Sequence, residues 1–315
     1  MNSSSFLQVN TTQAPITNSK TNERIRLLFV ILTIVGFCLF ISFVSLMFNV
    51  LAIIPQFLDN TRYLLFSYML VNDTIYLFLA FFLLMAGMNL LYVPIPLCFF
   101  LYAISASVFR ITPYNLAAMA LERYMAICYP LRHTELCTTK RANITYALIW
   151  VILLVLHGAE LVLMFTSVTN LYRYAICKNE NILVNPLQNV IRTFSFVLCF
   201  GLVGIIIIFT YAKIMLVAHR VSSQSSSASK AGKTIMLHAF QLLLCMASLL
   251  STLTETFLPK KIEYMPITNF FFFTCVPRFL SPIIYGIRDE ELKKHIKKSL
   301  RKYVPTFIGR ADTLN

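Results

Sequence analysis

Seven long apolar runs determine what this sequence of 315 residues can fold into. A helix needs about 20 apolar residues to cross the hydrocarbon core of a bilayer, and every run reaches that length. The chain is 58% hydrophobic and 13% charged, which leaves too few polar groups to cover a soluble surface. We therefore predict an all-α fold, a seven-transmembrane helix bundle. The predicted spans are 27–54, 62–88, 96–128, 142–166, 190–216, 234–258 and 266–287.

The segments outside these runs are short, and the longest are the two terminal ones. Segments below about 40 residues rarely fold alone, so a soluble catalytic domain has no room. Phosphate-binding loops and the common hydrolase and zinc motifs are also missing from the sequence. We predict an extracellular tail at 1–26, a transmembrane domain at 27–287 and a cytoplasmic amphipathic helix and tail at 288–315. No enzyme activity, cofactor or metal site is expected.

The net charge of +14 is explained by where the Lys and Arg residues lie. With the N-terminus outside, 17 of the 27 basic residues fall on the inner side and 8 on the outer side, as the positive-inside rule favours. Lys20, Arg24 and Arg26 before the first span favour the reverse orientation locally. The overall count predicts a plasma-membrane protein with an extracellular N-terminus and a cytoplasmic C-terminus. Nucleic acid is not needed as a partner.

Two features of the outer segments depend on this orientation. Asn2 and Asn10 each begin an Asn-x-Ser/Thr tripeptide, so we predict glycosylation sites in the N-terminal tail. Cys98 begins the third span on the outer side, and Cys177 lies in the second outer loop. The other six cysteines lie in spans or on the inner side, so this pair is the one able to form a disulfide in an oxidising compartment. The bridge would hold the loop over the mouth of the bundle.

Charged residues within the spans are expensive in lipid and therefore indicate function. From the helix rise, Asp73 lies about 16 Å and Arg278 about 15 Å from the inner edge. Because they share a level, we predict an ion pair between the second and seventh spans. The pair is either a static packing contact or one that rearranges during signalling.

Five residues in the outer half are candidate ligand contacts. Arg110 lies about 20 Å above the inner rim, and a ligand contact and a structural salt bridge are equally open for it. Glu160 and Glu255 fall about 28 and 33 Å from the inner edge, at the outer mouth, where an acid is more often solvated. Ser105 and Phe109 share a helix face near Arg110. Arg110 suggests a ligand with an anionic group.

The inner end of the third span carries the most specific motif. Residues 119–133 read MALERYMAICYPLRH, which resembles the end of the third helix in rhodopsin-like G-protein-coupled receptors. This long form looks like the odorant-receptor family. Residues 230–238 have the spacing of that family's sixth-helix signature, and residues 281–289 are similar to its seventh-helix ending. Cys98, Asp73 and Trp150 also fall where the family has its disulfide, its second-helix acid and its fourth-helix tryptophan.

The resemblance implies a receptor that binds a small-molecule odorant within the bundle and activates a heterotrimeric G protein at its inner rim. Glu122 would hold Arg123 at rest, and outward movement of the sixth helix would free Arg123. The resemblance also assigns roles in this switch to Tyr124, Tyr211, His238, Pro282 and Tyr285. A rhodopsin-like receptor for a non-olfactory ligand is the alternative. A transporter or channel is less well supported, because inverted repeats and matched broken helices are not seen in the sequence.

Several departures from the family pattern indicate a divergent branch, similar to fish-type odorant receptors. Glu122 replaces the usual Asp, Ser281 stands where the family has Asn, and Arg278 occupies a slot that is normally uncharged. The second outer loop has one cysteine where many odorant receptors have three. After the seventh span, Leu292, Ile296 and Leu300 form an apolar stripe. We predict an amphipathic helix there that lies along the inner leaflet, with its lysines facing anionic lipids.

Overall fold

The computed structural model describes residues 16–53, 59–88, 91–167, 174–177, 185–222, 240, 243–244, 265–289 and 291–299. Six helices in this part of the chain are long and apolar enough to cross a membrane. In chain order, the elements are α1 (Ile16–Ile53), α2 (Thr61–Met88), β1 (Tyr92–Pro94), α3 (Ile95–Cys128), α4 (Pro130–Leu136), α5 (Thr139–Ser167), β2 (Tyr174–Ile176), α6 (Pro186–Ser222), α7 (Met265–Asn269, Phe270–Cys275 and Val276–Arg288) and α8 (residues 291–299). The predicted span 234–258 lies outside the described residues, apart from helical residues 240, 243 and 244.

The predicted spans coincide with these helices, but α1 and α6 extend further. α1 begins at Ile16, inside the segment predicted as a tail, and α6 continues to Ser222. Hydropathy locates the edge of the lipid, whereas the helix ends where backbone hydrogen bonding ends. Exposed polar residues such as Glu23 and Arg24 therefore extend α1 beyond its apolar part.

α3 lies at the centre of the described bundle and contacts α2, α5 and α6. The main core includes Met47, Phe66, Leu70 and Tyr285, all at most 1% exposed. Large apolar side chains on the outward faces, such as Ile208, are exposed, as expected for surfaces that meet lipid. α3 is thus positioned to connect the outer and inner ends of the bundle.

A two-stranded hairpin, which was not predicted from the sequence, covers the end of the bundle that carries Cys98. β1 pairs antiparallel with β2, and Tyr92 lies opposite Ile176. Cys177 directly follows β2 and is bonded to Cys98 at the start of α3, with 5.6 Å between the Cα atoms. The predicted disulfide is therefore present, and together with the strand pairing it fixes the loop to α3.

α7 contains one stretch of π-helix, at Phe270–Cys275. The N–H of Val276 bonds the carbonyl of Phe271, five residues back. Pro277 has no N–H to continue the regular ladder. A π turn changes by one residue which side chains face the core, and Arg278 lies three residues beyond the end of this stretch.

α8 docks against the inner end of the bundle through its apolar stripe. Leu292 and Ile296 are buried in the main core, while Leu300 lies outside the described residues. Gly286 permits this close approach, because a Cβ there would lie 3.3 Å from Ile296 Cδ1. Asp289 begins the helix by accepting the N–H of Leu292 at 3.0 Å, as an N-cap does.

The disulfide provides a test of the outer end. It joins residues 79 positions apart, so we expect Cys98→Ala to lower the free energy of unfolding by about 4 kcal/mol through the entropy of the unfolded chain. The measurement is the Tm of the purified protein under non-reducing conditions. Cys38→Ala is the control, because Cys38 is a free, exposed cysteine. Equal Tm values for the two variants would contradict a stabilising bridge.

Candidate functional site

Asp73 and Arg278 meet between α2 and α7. Arg278 Nη1 donates to Asp73 Oδ1, and the two side chains are 5% and 2% exposed, respectively. Thr112 of α3 donates to Asp73 Oδ1 at 3.3 Å and accepts from Arg278 Nη1 at 3.3 Å. The ion pair predicted from the equal depths of Asp73 and Arg278 is therefore formed, and Thr112 connects α3 to it.

Two aromatic rings cover the guanidinium of Arg278. Its Cζ lies 4.0 Å from the ring centroid of Tyr76 and 5.7 Å from that of Phe109, which is cation–π geometry. Phe109 therefore faces Arg278, although the sequence placed it beside Arg110. Neighbouring helix residues point about 100° apart, so Arg110 faces α5 instead. Ser105 is buried on α3.

Arg110 contacts a histidine that the sequence analysis did not single out. Its Nη1 lies 3.3 Å from Nε2 of His157 on α5, and Arg110 is 6% exposed. A guanidinium only donates hydrogen bonds, so Nε2 of His157 is the accepting atom in this contact. Among the described residues, no carboxylate lies within ion-pair distance of Arg110.

Glu160 is buried, so the expectation that an acid at its level is more often solvated does not hold for this residue. It is 1% exposed, and Arg192 Nε of α6 donates to its Oε2 at 2.7 Å. The guanidinium of Arg192 also lies 4.6 Å from the ring centroid of Tyr102, and Gln188 donates to the Glu160 carbonyl at 2.9 Å. Depth along a helix was estimated from the sequence, but the neighbours that cover Glu160 come from other helices.

Arg192, Glu160, His157 and Arg110 form a continuous set, which we call the charge ladder. His157 Nδ1 lies 3.7 Å from Glu160 Oε2, so the ladder runs from α6 through α5 to α3. Signals for the missed members existed in the sequence. His157 lies within an apolar run three residues before Glu160, and Arg192 lies just inside the fifth predicted span.

Glu122 lies at the inner rim with two basic neighbours. Arg123 Nε is 3.6 Å from Glu122 Oε2, and His133 Nε2 of α4 is 3.1 Å from Glu122 Oε1. Glu122 is 6% exposed. The contact with His133 was not predicted, because α4 itself was not predicted.

Other residues of the predicted switch lie around this rim. The Tyr124 ring is 5.8 Å from that of Phe209 on α6. Tyr285 stacks on Phe66 at 3.8 Å between ring centroids, and its hydroxyl donates to the carbonyl of Arg62 at 3.4 Å. Pro282 is buried in α7 and Tyr211 is half-buried on α6. Asn2, Asn10, His238 and Glu255 lie outside the described residues.

Asp289 connects the start of α8 to the start of α2. Arg62 Nη2 lies 2.6 Å from its Oδ2, and Tyr63 donates to its Oδ1 at 3.1 Å. The residue that caps α8 is therefore bound to the start of α2. No group of three or more His, Cys, Asp or Glu side chains placed to hold a metal ion occurs in the described part of the chain.

A membrane bundle with a buried acid–arginine pair and a Glu-Arg motif at one rim has the architecture of a multi-pass receptor. The family profile described as the 7 transmembrane receptor (rhodopsin family) matches residues 61–285. The chain belongs to this family, and its fold is the predicted seven-helix bundle. The prediction of a receptor rather than an enzyme is thereby confirmed.

Curated relatives point to one branch of the family. Odorant receptor 131-2 of Danio rerio is 29% identical over 246 residues, which cover 76% of this chain and 75% of the relative. Olfactory receptor 56A4 of Homo sapiens is 28% identical over 219 residues, covering 66% of this chain and 69% of the relative. The resemblance to odorant receptors, including a fish receptor, is confirmed.

The Asp73–Arg278 pair generates a prediction for stability. We expect Asp73→Asn and Arg278→Gln each to lower the free energy of unfolding by about 3–5 kcal/mol, because each leaves the partner's charge buried and unpaired. The double variant should recover most of this loss, since neither charge is left. The Tm of the purified receptor measures both effects.

Glu135→Gln, at an exposed position on α4, is the control and should leave the Tm unchanged. Losses that simply add in the double variant would show that the two side chains act independently.

Proposed function

We propose that this chain is an odorant receptor that binds a small molecule in the outer half of the bundle and activates a heterotrimeric G protein at its inner rim. Membership of the rhodopsin family and the similarity to proteins named odorant or olfactory receptors support this function. The observation that carries it is the rim geometry, in which Glu122 lies between Arg123 and His133. These similarities favour an odorant over a non-olfactory ligand.

The rim contacts are of a strength that a ligand can overcome. Partly exposed ion pairs contribute about 1 kcal/mol or less. A ligand that prefers the active form by about 1–3 kcal/mol, the usual range of coupling free energies, is sufficient to release Arg123. Arg123 Nη2 has no hydrogen-bond partner among the described residues, so this nitrogen is available to a G protein once the sixth helix has moved outward.

The orientation and the domain boundaries are part of the proposal. The Cys98–Cys177 bridge favours an oxidising, extracellular location for that end of the bundle. The N-terminal tail would then carry Asn2 and Asn10 outside, where both can be glycosylated. The lysine-bearing α8 would lie in the cytoplasm, where it meets anionic lipid, and the receptor would reside in the plasma membrane.

Glu122→Gln should raise basal signalling, because the neutral amide no longer holds Arg123 as an ion pair. A loss of about 1 kcal/mol from the resting state corresponds to about fivefold more active receptor in the absence of ligand. The measurement is basal cAMP in transfected cells, normalised to surface expression. Glu135→Gln is the matched control. Unchanged or lower basal cAMP in the Glu122 variant would contradict a restraining role.

The decisive experiment is a cAMP response to an odorant panel in transfected cells. We expect at least one odorant to activate the wild type, and Arg123→Ala to abolish that response at equal surface expression. Arg132→Ala, an exposed arginine on α4, should retain it. A response that survives in the Arg123 variant, or an ion flux without G-protein activation, would refute the proposal and favour a channel.

A further inference from the structure

Asp289 joins three helices at the inner end of the bundle. It is 3% exposed, and its Oδ2 lies 2.6 Å from Arg62 Nη2. Its Oδ1 accepts from the hydroxyl of Tyr63 at 3.1 Å and from the N–H of Leu292 at 3.0 Å. The N–H of Asp289 donates to the carbonyl of Tyr285 at 3.2 Å. The first turn of α2, the end of α7 and the start of α8 therefore meet at one carboxylate.

Tyr285 contacts the same part of α2. It lies four residues before Asp289, and residues four apart share a helix face, so both side chains face α2. The Tyr285 ring is fully buried and stacks on Phe66 with 3.8 Å between ring centroids. Its hydroxyl donates to the carbonyl of Arg62 at 3.4 Å. Arg62 thus contacts this end of the bundle twice, through its backbone at Tyr285 and through its side chain at Asp289.

The Arg62–Asp289 pair has the properties of a contact that can break. The side chain of Arg62 is 24% exposed, and its Nε has no hydrogen-bond partner among the described residues. Water can therefore reach one partner of the pair, and such pairs contribute little to stability. The Asp73–Arg278 pair, by contrast, is buried on both sides. A weak charged contact at the end of a helix shifts a conformational equilibrium without locking it.

This pair is separate from the contacts of Glu122. Glu122 lies beside Arg123 on α3 and His133 on α4. Arg62 belongs to α2, and Asp289 lies at the junction of α7 and α8. The two sets share no residue, so they restrain different helices.

We propose that Asp289 is a positioning residue that holds Tyr285 against α2 through its ion pair with Arg62, and that this pair is a second restraint on activation beside Glu122. This inference rests on the proposed function, because it concerns the form that activates a G protein. When the inner end of α7 leaves α2, Tyr285 separates from Phe66 and the ion pair breaks. The pair therefore favours the resting form, and a ligand has to overcome it.

Asp289→Asn tests the ion pair with little disturbance of the fold. The amide oxygen can still accept from Leu292, and Asn caps a helix as well as Asp does, but the charge is lost. We expect basal cAMP, normalised to surface expression, to rise about fivefold, as for the loss of a partly exposed ion pair. Arg62→Gln should act in the same direction, while Arg62→Lys keeps the charge and should stay near wild type. Arg132→Gln, at an exposed position on α4, is the matched control.

A purely structural role for Asp289 predicts a different result. Asp289→Asn would then lower the Tm and the surface expression, while basal cAMP per surface receptor stayed at the wild-type level, and this would overturn the inference. The double variant with Glu122→Gln gives a second criterion. Contacts that share no partner act independently, so its basal signal should equal the product of the two single increases. A double variant no more active than Glu122→Gln alone would also overturn the inference.

Hydrogen exchange of the purified receptor separates this inference from the proposed function, because it needs no G protein. In Asp289→Asn, peptides that span Ile283 to Lys293 should exchange about fivefold faster, since the inner end of α7 opens from α2 more often. Peptides from α5 should be unchanged. Equal exchange in variant and wild type would overturn the restraint. Faster exchange in a receptor that gives no Arg123-dependent cAMP with any odorant would retain the restraint on α7 and refute the proposed function.

Discussion

A charged side chain within a membrane bundle has to find a partner on another helix, and this constraint connects most of the features described above. Lipid cannot solvate an ion, so an unpaired charge is costly wherever it faces the bundle interior. Asp73 and Arg278 join α2 to α7, and Glu160 and Arg192 join α5 to α6. Apolar packing alone discriminates poorly between helices in lipid, because lipid tails are as apolar as leucine. The ion pairs therefore specify which helices are neighbours.

Neutral polar contacts add to this specificity at the interfaces of α2. Tyr146 of α5 donates to Asn72 at 2.8 Å, and Asn115 of α3 donates to the carbonyl of Leu65 at 2.8 Å. Such interhelical hydrogen bonds contribute about 0.6 kcal/mol each on average, less than a buried ion pair. These hydrogen bonds stabilise the packing of helices, while the ion pairs specify which helices are neighbours.

The depth of a residue along its helix could be predicted from the sequence. The direction in which its side chain points around the helix, and the neighbours it meets on other helices, could not. Asp73 and Arg278 could be paired because both depths follow from the helix rise. The same calculation placed Glu160 near the outer mouth but could not show that Arg192 and Gln188 cover it. It also placed Phe109 with Arg110, whereas the two side chains face different helices. The hairpin of Tyr92–Pro94 with Tyr174–Ile176 depends on long-range pairing of short strands, which has little local signal.

α3 carries both ends of the proposed signalling path. Arg110 and Glu122 are twelve residues apart, or about 18 Å along the helix. Pro113 lies between them and removes one backbone hydrogen bond, so α3 can bend there at low cost. A ligand bound against the outer half of α3 would bias the helix there, while the contacts of Glu122 with Arg123 and His133 would oppose the change at the inner end. Because coupling is reciprocal, a G protein that engaged Arg123 at the inner end would favour the ligand-bound arrangement of the outer half by the same free energy.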